Sequence, residues 1–193
     1  MSFGFPAEVD VNGVPVISNS ISKALFYRDQ RILFFAAAAN DGGNQKEMFP
    51  ATHSAVFSIR ATDHRGVFLG LNPPPKYSGP EVFGTLGQAV ASAGLQVDGP
   101  GEVTKDGTSA ATPIAAGIAA MILGYTKQRT KEPNPLKWDS LKNLWTTNGM
   151  HRVFLKLSTE MGRKIFYLNP TQFSQKTDAE RDIILQSAAD EAR

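Results

Sequence analysis

Residues Ile32 to Ala39 form a continuous apolar run without polar alternation. Such a run predicts a parallel strand buried on both faces. Asn40-Asp41-Gly42-Gly43-Asn44 then ends it as a turn. Upstream, Met1 to Phe5 reads as the end of a strand. Ser18, Asn19 and Ser20 offer N-cap side chains. Ile21, Ala24 and Leu25 follow at helical spacing, with Lys23 and Arg28 outward. Ala55 to Ala61 reads as a further strand. Strand, helix, strand in alternation predicts an α/β protein with a parallel sheet.

The next stretch is less regular. Leu71 to Pro80 carries four prolines and reads as a surface loop. Val82 to Leu95 is weakly strand-like and is broken by Gly84, Gly87 and Gly94. Ser109 to Tyr125 reads as a helix with one stripe of Ile114, Ile118, Met121, Ile122 and Tyr125. Its remaining positions are mostly Ala and Gly, which allow close packing. Pro113 sets the helix start close to Ser109, because proline lacks the N–H that a helix interior needs. Gln128 to Pro135 reads as a polar linker. Trp138, Leu141, Leu144 and Trp145 share a helical face. Met150, Val153, Phe154 and Leu157 predict a short helix after Gly149. Ile165 to Leu168 reads as a short strand, and Thr177-Asp178-Ala179-Glu180 as a capping box opening a last helix.

Composition narrows the function classes. The chain has 193 residues, enough for one domain with a sizeable core. Twenty basic and 18 acidic residues leave a net charge of +2, too balanced to argue for a nucleic-acid or membrane-surface partner. No apolar run is long enough to span a bilayer, the longest being the strand-sized Ile32 to Ala39. There are no cysteines, which excludes a disulfide scaffold and thiolate chemistry. Three histidines without cysteine argue against a metal site, and no cofactor is expected. Met1 to Phe5 lacks the basic and apolar regions of a signal peptide. These features lean toward an intracellular setting, although many secreted enzymes also lack cysteine. Oligomeric state is left open.

The chemistry concentrates at two places. Asp106-Gly107-Thr108-Ser109 puts a serine at the mouth of a small-residue helix, with Pro113 four residues on. A helix N-terminus offers free N–H groups and partial positive charge. A serine attacking an acyl group benefits, because negative charge develops beside it. A bare serine there is most often an N-cap. Asn40, alone, reads as a turn residue. Its other reading is a side-chain amide donor to an oxyanion, a contribution of roughly 3 kcal/mol.

Gly107-Thr108-Ser109-Ala110-Ala111-Thr112-Pro113 matches G-T-S-x-[AS]-x-P, the nucleophile motif of subtilisin-like serine proteases. Phe35 to Gly42, then Phe49-Pro50-Ala51, then Val56 to Asp63 resemble the oxyanion block of the same family. Met1-Ser2-Phe3-Gly4 resembles the M-S-[LF]-G strand that precedes its long helix. The matches run in family order from about residue 1 to 125. The resemblance implies a three-layer α/β fold around a parallel sheet, incomplete at its N-terminus. It implies Ser109 as nucleophile, with Asn40 and the Ser109 N–H as oxyanion donors. Ser2, Phe3 and Gly4 become one wall of the substrate pocket and Ala37, Ala38 and Ala39 the other. The edge at Ser2 to Gly4 is expected to pair with a peptide or protein substrate as an added strand.

Two departures bear on activity. Ala39 stands where the family usually has Gly or Ser, which narrows the pocket floor. The family's Asp block, D-[ST]-G, and His block, H-G-[ST], precede the M-S-x-G strand and are absent from this sequence. His53, His64 and His151 lack the Gly-Thr context of that base. Lys105 suggests a Ser–Lys dyad but reads better as a solvated lysine, and Asp106 as an acid complementing the helix dipole. Residues 1–126 are therefore read as the C-terminal part of a subtilisin-like serine endopeptidase domain. Residues 127–193 are read as a helical extension packed on it. The rival reading is a non-catalytic module that binds peptides or proteins. An unrelated esterase is disfavoured by the absence of a G-x-S-x-G elbow.

Overall fold

The computed structural model describes residues 4–75, 79–93, 102–132 and 138–193. A small hairpin, β1 (Asp10–Val11) and β2 (Val14–Pro15), leads into α1 (Val16–Tyr27). The helix starts two residues before the expected Ser18 cap. Its start is fixed by a side chain from outside the segment: the Glu8 carboxylate accepts from the N–H of Ile17 at 3.0 Å and of Ser18 at 3.3 Å. An acid at a helix start answers both the free N–H groups and the dipole.

The apolar run contains β3 (Phe34–Ala37), followed by β4 (Val56–Thr62) and β5 (Val82–Leu86). These three strands pair in parallel, Phe34 opposite Val56 and Ile59 opposite Phe83. The irregular segment after β5 turns away at Gly87 and forms β6 (Val90–Ala93), which pairs antiparallel with β7 (Glu102–Lys105). The weak strand signal there thus belongs to two strands in different sheets. Leu95 and Gly94 lie outside the described residues.

The helix α2 (Thr108–Arg129) runs a turn beyond the expected Tyr125. At 22 residues it is long and apolar enough to cross a membrane by length and composition. Its inner side, Ala111, Ala115, Ile118 and Ile122, instead packs in the core with Phe35, Phe57, Ile59 and Phe83 of the sheet. The Trp138 to Trp145 pattern divides into α3 (Trp138–Leu141) and a 3-10 turn at Lys142–Trp145, with Leu141 and Leu144 buried. Then come α4 (Thr147–Leu157), β8 (Ser158–Gly162), β9 (Ile165–Leu168), α5 (Thr171–Ser174) and α6 (Asp178–Glu191). Thr146 caps α4 by accepting from Gly149 N–H at 3.1 Å. The capping box of α6 forms, Thr177 N–H donating to Glu180 at 2.8 Å and Glu180 N–H to Thr177 at 3.3 Å.

The main sheet has the order β3-β4-β5-β9-β8, with only β8 antiparallel. One face carries α2 and α4; the other carries α1, whose Ile21 and Leu25 pack on Ala36 and Val56. Burial on both faces is why the Ile32 to Ala39 run shows no polar alternation. The mixed α/β architecture with a mainly parallel sheet agrees with the sequence reading.

At the N-terminal ends of β4 and β5 a cavity of about 210 Å³ is lined in part by Glu47, His53, Arg60, Glu81 and His151. His151 lies edge-on to Phe83 and places Nε2 3.4 Å from Glu81. Burial pushes its pKa below the usual histidine value, against an opposing pull from Glu81. A histidine whose pKa is lower folded than unfolded favours the fold fully above the unfolded value. That contribution is lost as pH falls through the folded value. Melting temperature is therefore expected to fall between pH 7 and pH 5, and His151→Gln to flatten that fall. An equally steep fall in the variant assigns it to other groups.

Candidate active site

Parallel strands deliver their C-terminal ends to one edge of the sheet, and the site is built there. Asn40 follows β3, and Gly87 follows β5. The turn Asp106-Gly107 connects β7 to α2. Gly107 N–H donates to Gly87 carbonyl at 2.7 Å, and Gly87 N–H to Thr62 carbonyl at 2.9 Å. The start of α2 is thereby registered against the ends of β4 and β5.

Asn40 and this helix start meet directly. The Thr108 N–H donates to Asn40 Oδ1 at 2.8 Å and the Thr108 hydroxyl donates to the same oxygen at 3.0 Å. A backbone N–H is only a donor, so it fixes which end of the amide is oxygen. The Nδ2 end is then turned away from Thr108. Thr108 is fully buried, Ser109 next to it half-buried, and Asn40 exposed. Gly107 adopts φ +122° and ψ 171°, and a β-carbon there would lie 3.0 Å from both Asn40 Nδ2 and Oδ1. The fit of Asn40 against the helix start thus requires glycine at 107.

Of the expected pocket walls, Ala37, Ala38 and Ala39 are all buried. Ser2 and Phe3 lie outside the described residues. Gly4 is half-buried, and Phe5 after it exchanges two hydrogen bonds with Phe49, at 2.7 and 2.8 Å. Met48 links the two segments: a β-carbon on Gly4 would lie 2.8 Å from Met48 Cβ, and Met48 N–H donates to Ala38 carbonyl at 2.9 Å. Sequence reasoning missed Met48, since only the Phe49-Pro50-Ala51 that follows carries the motif. Beyond Asn40 an open groove is lined by Asp41, Gly42, Gly43, Gln45, Gly70 and Leu71. The Gly42 N–H ties its sides together by donating to Leu71 carbonyl at 2.9 Å.

His53 precedes β4, its Nδ1 accepting from Ala55 N–H at 3.1 Å, and His151 pairs with Glu81 just before β5. Both belong to the opposite end of the strands from Asn40. His64 lies in the turn after β4, where its carbonyl accepts from the Tyr167 hydroxyl of β9 at 3.4 Å. Lys105 is an exposed residue of β7 opposite Val90. The Asp106 carboxylate accepts from Ala89 N–H at 2.6 Å.

A family model described as the subtilase family matches residues 1–163. The minor extracellular protease Epr of Bacillus subtilis (strain 168) is 30% identical over 108 residues, which are 55% of this chain and 15% of Epr. The self-cleaved protease domain of PatA superposes with a TM-score of 0.65 at 23% identity, over 97% of this chain and 61% of that one. The PatG macrocyclase, solved in complex with peptide, superposes with a TM-score of 0.59 at 17% identity, over 99% of this chain and 49% of that one. The chain thus spans a small part of the curated relative and about three fifths of the PatA domain.

Proposed function

Because this chain belongs to the subtilase family of proteases, we propose that it is the part of a serine endopeptidase domain that carries the nucleophile and the oxyanion donors. Ser109 Oγ attacks the scissile carbonyl carbon as a base takes its proton. The amide C–N bond breaks, the amine leaves with a proton, and water hydrolyses the acyl-serine ester. Asn40 Nδ2 and the Ser109 N–H stabilise the oxyanion. The observation that carries this reading is the double hold of Thr108 on Asn40 Oδ1. With Oδ1 occupied by Thr108, the Nδ2 end of the amide is the end left to donate to an oxyanion, and this supports the reading.

The substrate is a peptide or protein chain, laid as an added strand beside Gly4. Gly4 and Ala37 to Ala39 flank its side chain, with Met48 between them. The base and its orienting carboxylate come from outside these 193 residues, in a longer form of the protein. Without a base, a serine hydroxyl is a poor nucleophile at neutral pH. The alternative, a peptide-binding module without catalysis, draws support from the placement of His53 and His151 at the far end of the sheet.

A fluorophosphonate probe separates the readings. A longer gene product with in-frame D-[ST]-G and H-G-[ST] blocks upstream is expected to label at Ser109, and Ser109→Ala to abolish labelling. A stop codon or unrelated upstream sequence favours the binding module.

A further inference from the structure

Ala89 adopts φ +51°, a left-handed conformation that a residue with a β-carbon takes only when its surroundings hold it there. What holds it is Asp106, whose carboxylate accepts the Ala89 N–H at 2.6 Å. The contact continues the β6–β7 ladder, in which Val90 already faces Lys105. One step nearer the helix, Gly107 N–H donates to Gly87 carbonyl at 2.7 Å. Gly87 packs so closely that no side chain fits there, since a β-carbon would lie 2.6 Å from Ala61 Cβ and 2.9 Å from Gly107 carbonyl. Two hydrogen bonds therefore clamp turn 87–89 to turn 106–107. The next residue along, Thr108, is the one that holds Asn40.

We propose that Asp106 is a positioning residue for the Ser109 and Asn40 site. Its carboxylate locks the left-handed Ala89 turn to the entry of α2 and so sets where Thr108 presents its donors to Asn40. The inference deepens the reading of Ser109 and Asn40 and rests on it. It also gives the β6–β7 arm a route to the site, because a shift of the arm acts on Asp106 before it reaches Gly107 and Thr108.

Amide hydrogen exchange followed by NMR on the intact 193-residue protein tests it. Removing one hydrogen-bond acceptor in Asp106→Ala is expected to speed Thr108 and Gly107 exchange about tenfold. The core amides of Ile59 and Ile122 are expected to be unchanged. Asp106→Asn keeps a side-chain acceptor and is expected to restore most of the protection. Unchanged Thr108 exchange in Asp106→Ala overturns the proposal, as does an equal acceleration of every amide or an Asn variant no better than Ala. The readout needs no catalysis. Fluorophosphonate labelling at a residue other than Ser109 would sink the catalytic assignment while leaving the exchange result standing.

Discussion

Phe154→Ala is expected to destabilise the protein by about 3–5 kcal/mol, the range for removing a fully buried aromatic ring. Phe154 has no exposed surface. Its ring lies 5.4 Å from that of Phe57, 5.6 Å from Phe83 and 6.3 Å from Phe35. These partners belong to β4, β5 and β3, so one side chain from α4 joins the three strands whose far ends carry the site. The deletion leaves a cavity bounded by rigid strands on one side, and α2 and α6 limit collapse on the other. For a chain of this size each kcal/mol lowers the melting temperature by roughly 2–4 °C, so a fall on the order of 6–20 °C is expected by circular dichroism. A fall of about 2 °C or less, equivalent to no more than ~1 kcal/mol, would show that α4 does not dock on the sheet as described.

Gly107→Ala is the second large effect, and it acts on the site. At φ +122° and ψ 171° the residue occupies a region that is essentially glycine's alone. Confinement there costs an L-residue roughly 1–3 kcal/mol. The new methyl also lies 3.0 Å from both terminal atoms of the Asn40 amide. Either the helix start withdraws or Asn40 does, and in both cases Oδ1 loses the Thr108 N–H. We expect a stability loss of roughly 2–3 kcal/mol together with lost protection of the Thr108 amide. A variant with wild-type stability and an intact Thr108–Asn40 bond would refute the tight fit at this turn.

The parts of the fold legible in the sequence were those with a strong local signal. The unbroken apolar run at 32–39 announced a strand covered on both faces, and the Thr177–Glu180 pair announced its helix start. The start of α1 was not legible, because its cap is Glu8, outside the segment that carries the helical pattern. The place of β9 between β5 and β8 was hidden for a related reason. Its pairing with β5 joins Val82 to Ile165, and no short-range pattern reports a contact between residues so far apart.

The site divides in the same way. Asn40 and Ser109 stand in motifs, and the sequence proposes them on that ground. Their join through Thr108 needs the folded backbone. The sequence offers Asp106 only as an acid complementing the helix dipole; its contact with Ala89 was hidden, because an alanine with positive φ carries no sequence signal, whereas a glycine there would have suggested a turn. Met48 was missed because its role comes from proximity to Gly4 and Ala38 rather than from its own chemistry.

On the proposed reading, the chain holds the nucleophilic Ser109 and the oxyanion donor Asn40 and takes its base from outside these 193 residues. Fluorophosphonate labelling of the purified 193-residue protein, read by intact mass and peptide mapping, tests it most directly. Triad-deleted enzymes keep only about 10³–10⁴-fold catalysis over water, a loss on the order of 10⁴–10⁶ against the complete triad. The expected result is little or no adduct under conditions that fully label a complete subtilase, with any trace confined to Ser109. Rapid stoichiometric labelling of Ser109 would contradict the account, since it would require a base among the residues already present.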